Sequence, residues 1–125
     1  MNKVLATKNA PAAIGPYSQG IQAGNMVFVS GQLAIIPETG ALCTGTIAEQ
    51  TRQSMNNIAN ILKEAGCTLQ DVVKTTIFLK DLANFAEVNA AYAEFFPENP
   101  PARACVQVAK LPRDARVEIE AIAVK

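Results

Sequence analysis

Two segments of this chain are apolar on both of their faces, and that constrains the fold more than any other feature. Met26–Leu33 sets Met26, Phe28, Ser30 and Gln32 against Val27, Val29, Gly31 and Leu33. Val72–Leu79 sets Val73, Thr75, Ile77 and Leu79 against Val72, Lys74, Thr76 and Phe78. Runs rich in β-branched and aromatic residues read as strands. An antiparallel sheet with one wet face would alternate more cleanly. Each face of the sheet built from these strands therefore needs a cover.

Only two segments read as helices. Thr46, with Glu49 three residues on, has the spacing of a capping box. Met55, Ile58, Leu62 and Ala65 follow at helical spacing, up to Gly66, the residue type favoured just past a helix end. Asn84 and Glu87 repeat the box, Phe85, Val88, Tyr92 and Phe95 repeat the stripe, and Pro97 stops it. Further strands are expected at Lys3–Thr7, Ser18–Gln22, Ala102–Val108 and Val117–Val124. Gly24-Asn25 signals a hairpin, and Pro37–Gly40 and Leu111–Asp114 signal turns. The order β-β-β-α-β-α-β-β implies an α+β fold, a single sheet with two helices on one face. The uncovered face is then expected to meet another subunit. Residues 1–125 read as one domain, because prolines and glycines are evenly spaced and no linker interrupts them. A chain of this length buries roughly two-thirds of its unfolded surface, so its core needs no disulfide or metal.

The composition excludes several chemistries. There is no histidine, which removes Ser-His-Asp triads, Cys-His dyads and His-ligated metals. Cys43, Cys67 and Cys105 are far apart and make no zinc pattern, so no metal is expected. No glycine-rich phosphate loop is present. Eleven basic and eleven acidic residues give a formal net charge of zero, without the basic footprint of a nucleic-acid binder. The odd cysteine count and the absence of a signal-like or membrane-spanning apolar run point to a cytoplasmic protein with no membrane partner.

Arg103 is the leading candidate for chemistry. It opens an otherwise apolar strand, and alternation puts it on one face with Cys105. Such an arginine pairs with Glu118 or Glu120 within the chain, sits at a solvated strand end, or holds the carboxylate or phosphate of a ligand. Glu118 and Glu120 share a face of the last strand. A carboxylate on a partly buried sheet face tends to a raised pKa and can act as a general base, or the pair can simply guard an edge. Tyr17 follows Gly15-Pro16 in a loop and either hydrogen-bonds a ligand or packs. Gly31, between Ser30 and Gln32, marks a bulge or a close backbone approach. Asn89 lies one helical turn from Phe85 and either shares a groove with it or is a surface amide. Cys105 has no histidine to activate it and reads as filler.

Three stretches carry a family resemblance: Ala13-Ile14-Gly15-Pro16-Tyr17-Ser18-Gln19, Val27-Phe28-Val29-Ser30-Gly31-Gln32, and Pro101-Ala102-Arg103-Ala104-Cys105-Val106 followed by Val117-Glu118-Ile119. They resemble the RidA/YjgF family of reactive-intermediate deaminases, from about residue 3 to the C-terminus. The resemblance implies a chorismate-mutase-like fold, a mixed sheet, and a homotrimer with ligand clefts between subunits. It implies hydrolysis of 2-iminobutanoate and 2-iminopropanoate, or their enamines, to 2-oxo acids and ammonia, with no cofactor. On that basis Arg103 holds the substrate carboxylate and Glu118 positions or activates water. The Gly31 carbonyl and the Cys105 backbone N–H orient the ligand, and Tyr17, Ser30, Phe85 and Asn89 line the cleft. Two other readings stay open: a non-catalytic module that binds small 2-oxo acids, and an RNA-directed role, which the neutral charge disfavours.

Overall fold

The computed structural model describes residues 2–125. The strands are β1 (Lys3–Leu5), β2 (Gly20–Ala23), β3 (Met26–Leu33), β4 (Val72–Leu79), β5 (Ala102–Gln107) and β6 (Val117–Val124). The helices are α1 (Ile47–Lys63) and α2 (Phe85–Ala93). The six strands form one sheet in the order β1-β2-β3-β6-β4-β5. The β4–β5 pair is parallel and the other pairs are antiparallel, so the sheet is mixed. Both helices belong to crossover connections, β3-α1-β4 and β4-α2-β5, whose usual right-handedness sends consecutive helices to the same face. α1 packs on β3, β6 and α2.

The first capping box forms as expected. The Glu49 N–H donates to Thr46 Oγ1 at 3.1 Å, and the Thr46 N–H donates back to Glu49 Oε1 at 3.4 Å. Met55, Ile58 and Leu62 are fully buried against the sheet. The second box does not form. Asn84 already lies in a 3-10 turn (φ −83°, ψ 3°), outside the extended geometry that a capping side chain needs, and Asp81 caps that turn instead.

Two bulges alter the strand faces read from alternation. Between Val29 and Gln32, the pair Ser30 and Gly31 opposes the single residue Glu120. Val27 and Val29 face the helices, but Leu33 turns to the opposite face, where it packs with Leu111 and Ala115. In β4, Val73 has no counterpart on β6. Val72 therefore joins Thr75, Ile77 and Leu79 in the buried set, and Val73, expected to share their face, is 47% exposed. The helix-bearing face holds the main core, and α1 is tied to the end of β3 by the buried Asn57, whose Nδ2 donates to the Leu33 and Ile35 carbonyls. On the other face, Met26, Phe28 and Val106 remain exposed in the single chain.

Candidate active site

Arg103 lies on β5, the edge strand that runs parallel to β4. Its register partner is Thr75, which in turn pairs with Ala121, so Arg103 shares the helix-bearing face. There it meets α2. Arg103 Nη1 donates to Asn89 Oδ1 at 2.7 Å. The guanidinium carbon sits 5.5 Å from the Phe85 ring centroid and 5.2 Å from that of Tyr92. Tyr92 is held in turn by a 2.6 Å hydrogen bond with Thr75 Oγ1 and by Phe96, whose ring centroid is 5.0 Å away. Burial pushes the Tyr92 phenol up, with Thr75 and Arg103 acting in the opposite direction.

This arrangement orients the guanidinium without neutralising it. Aromatic faces and an amide oxygen are weak partners for a cation compared with a carboxylate. Among the described residues the salt bridges are Arg52–Glu94 and Lys80–Asp114, so Arg103 has no carboxylate partner. The internal ion pair with Glu118 or Glu120, one of the alternatives left by the sequence, does not form. The reason is sheet parity: Glu118 pairs with Phe78 and Leu33, and Glu120 with Thr76, all on the other face.

Glu118 forms the centre of a second group. The Ser30–Gly31 bulge lets the glycine come hard against it. A Cβ built on Gly31 would lie 2.8 Å from both Glu118 Cδ and Oε2, so a side chain at this position would push that carboxyl aside. Burial, and then the neighbouring Glu120, push the Glu118 carboxyl above its ordinary range. Gly31, Glu118, Tyr17 and Ser30 line one cleft of about 600 Å³, together with Ile14 and Arg113. The Ser30 hydroxyl donates to the Ser18 carbonyl at 2.6 Å, which commits its proton to the scaffold.

The structure thus sorts the eight residues to which the resemblance gives roles into two sets. Arg103, Asn89, Phe85 and Cys105 belong to the helix face at the β5 edge. Tyr17, Ser30, Gly31 and Glu118 belong to the cleft beside the bulge. Burial pushes the Cys105 thiol up, with Arg103 opposing, which fits a packing role for its side chain. Among the described residues no cluster of three or more acidic or cysteine side chains converges to hold a metal.

Sequence reasoning missed Tyr92 and Gln19. Helical spacing places Tyr92 in the core stripe and gives no sign of its contact with Arg103. Gln19 is 5% exposed and makes four hydrogen bonds. Its Oε1 accepts from the Thr7 N–H, and its Nε2 donates to the carbonyls of Thr7, Ala10 and Pro11. It pins the segment that carries Ile14 and Tyr17. An amide at the entry to an apolar strand was the available signal.

Residues 7–125 match the family model described as Endoribonuclease L-PSP, that of the RidA proteins. The chain belongs to the RidA family. The 2-iminobutanoate/2-iminopropanoate deaminase of Escherichia coli K12 is 53% identical over 128 aligned residues, covering 100% of this chain and 99% of that RidA protein. A RutC family protein of Pyrococcus horikoshii is also 53% identical, over 125 residues, with 100% and 99% covered. Among solved structures, the E. coli YjgF gene product superposes with a TM-score of 0.95 at 52% identity, covering 98% of each chain. E. coli TdcF with bound serine superposes at 0.94 with 45% identity and the same coverage. The mixed sheet with two helices is thus the RidA architecture, and among the described residues no helix is long and apolar enough to cross a membrane.

Proposed function

We propose that this chain is a cytoplasmic deaminase of 2-imino acids and that its active site is completed between copies of itself in a homotrimer. The observation that carries this reading is the oriented but unneutralised guanidinium of Arg103. A planar fork with open donors at a sheet edge suits a small carboxylate held bidentately. The matching carboxylate base, Glu118, faces the other side of the same sheet. A second copy stacked against the exposed face of Met26, Phe28 and Val106 brings one copy's Arg103 toward its neighbour's Glu118. Full-length identity to the E. coli deaminase supports the same substrate class.

The chemistry needs little more than these groups. The substrate R–C(=NH)–COO⁻ takes up one water and leaves as R–CO–COO⁻ and ammonia. Arg103 holds the carboxylate. Glu118 accepts a proton from the attacking water as its oxygen bonds to the imine carbon and passes it to nitrogen; it then takes the remaining hydroxyl proton as the C=O forms and delivers it to nitrogen as the C–N bond breaks. The raised pKa of Glu118 makes it a stronger base than an ordinary carboxylate. The Gly31 carbonyl accepts from the imine N–H and the Cys105 backbone N–H donates to the carboxylate, while Tyr17, Ser30, Phe85 and Asn89 wall the cleft. Fixing water against an already electrophilic carbon is mainly a proximity effect.

The family model's description names a ribonuclease. A polyanionic substrate fits poorly on a chain with a formal net charge of zero. The test is to generate 2-iminobutanoate with a threonine dehydratase and let semicarbazide compete for it. Wild-type protein lowers semicarbazone formation, and Arg103→Ala, checked for an unchanged assembly, does not. Tight binding of 2-oxobutanoate with no effect of wild type on trapping would replace the deaminase with a binding module.

A further inference from the structure

Arg113 lines the same cleft as Tyr17, Gly31 and Glu118, and the mechanism above gives it no work. Its backbone is unusual. Arg113 and the following Asp114 have φ of 58° and 55°, in the left-handed region that side chains disfavour. Such a conformation persists where the surroundings enforce it, and it often occurs at ligand sites. Here the Asp114 N–H donates to the Leu111 carbonyl at 3.1 Å, and Lys80 Nζ holds Asp114 Oδ1 at 2.8 Å. Arg113 Nη1 donates to the Gly40 carbonyl at 3.1 Å.

Arg113 therefore repeats the pattern of Arg103. It is exposed, its side chain is steered by a neutral oxygen, and it forms no ion pair with Glu118 or Glu120, although both line the same cleft. Lys80 occupies the adjacent Asp114, which leaves the Arg113 charge available. The cleft, at about 600 Å³, is of the size that takes drug-sized ligands.

We infer that Arg113 is a second carboxylate site and that the cleft takes dicarboxylic 2-imino acids of four or five carbons. In the shared site proposed above, the α-carboxylate lies on the neighbouring copy's Arg103 and the distal carboxylate on Arg113. The inference rests on the deaminase reading above, and the reaction is the same: water in, 2-oxo diacid and ammonia out. The Arg113 guanidinium also offsets the repulsion that Glu118 and Glu120 exert on an anion entering the cleft.

The experiment compares two imines generated in the semicarbazide assay by an amino-acid oxidase with catalase present. One comes from glutamate and the other from 2-aminobutanoate. In wild type, the product 2-oxoglutarate competes more tightly than 2-oxobutanoate. Arg113→Gln lowers the ratio of kcat/KM for 2-iminoglutarate over 2-iminobutanoate by about tenfold, the scale of one charge-assisted hydrogen bond. Arg113→Lys restores part of the ratio. An unchanged ratio in Arg113→Gln, or weaker competition by 2-oxoglutarate in wild type, overturns the inference while leaving the monocarboxylate deaminase intact. No acceleration of either imine by wild type overturns both.

Discussion

Gly31→Ala adds one methyl group at the point where β3 and β6 come closest to the proposed base. The new Cβ would lie 2.8 Å from Glu118 Cδ and Oε2, about 0.6 Å short of the 3.4 Å at which ordinary contact begins. What it strikes is the end of a flexible, half-exposed side chain, so the carboxyl swings away and the sheet stays in place. The cost in stability is then at the low end for overpacking, about 1 kcal/mol, or a few degrees in Tm for a domain of this size. The cost in rate is larger. Moving a catalytic group by a large fraction of an ångström takes roughly a hundredfold from a reaction that depends on positioning. The assay pairs a thermal melt with semicarbazide competition for 2-iminobutanoate. A folded Gly31→Ala protein of nearly wild-type activity would refute the assignment of Glu118 as the base, because the methyl cannot be accommodated without moving that carboxyl.

Four further outcomes are expected. Asn89→Ala removes the tether of Arg103 but not its charge, so KM for 2-iminobutanoate rises several-fold with a smaller change in kcat, as steady-state kinetics would show. Burial, and then Glu120, raise the Glu118 pKa above its unfolded value, so stability linked to this group is present at low pH and lost as pH rises through the folded value. Glu118→Gln therefore raises Tm near neutral pH, with the gain vanishing below the ordinary carboxylate pKa of about 4.3, and Glu120→Gln extends the acid limb of kcat/KM to lower pH. Gln19→Ala leaves three backbone carbonyls without their donor, which costs about 2 kcal/mol in a denaturant melt and loosens the Ile14–Tyr17 segment.

Local signals identified the elements well. The box at Thr46 formed because nothing competed for its two bonds. The box at Asn84 failed because an upstream turn capped by Asp81 had already set the backbone there. The alternation of β4 read correctly from Thr75 onward and wrongly at Val73, because a bulge depends on the partner strand, which no single segment specifies. The same applies to the site. Arg103 stood out as a charge in an apolar strand; helical spacing put Phe85 and Asn89 one turn apart, but their contact with Arg103 depends on how α2 packs against β5. The contact between Gly31 and Glu118, 87 positions apart in number, exists only through the β3–β6 pairing, as does the exclusion of an Arg103–Glu118 ion pair within one chain. The hydrogen bonds of Gln19 join segments separated by loops, whose paths the sequence does not encode in any repeating pattern.

The central claim is that a working site takes Arg103 from one copy and Glu118 from another. Mixed assembly tests it directly. Arg103→Ala and Glu118→Gln proteins, each inactive alone, are unfolded together, refolded as an equal mixture and assayed for 2-iminobutanoate hydrolysis. In a shared site, some clefts receive both native residues, and random assortment restores about one quarter of wild-type activity. A mixture whose assemblies contain both variants but show no recovered activity would mean that each copy works with its own Arg103 and Glu118, and the account would fail.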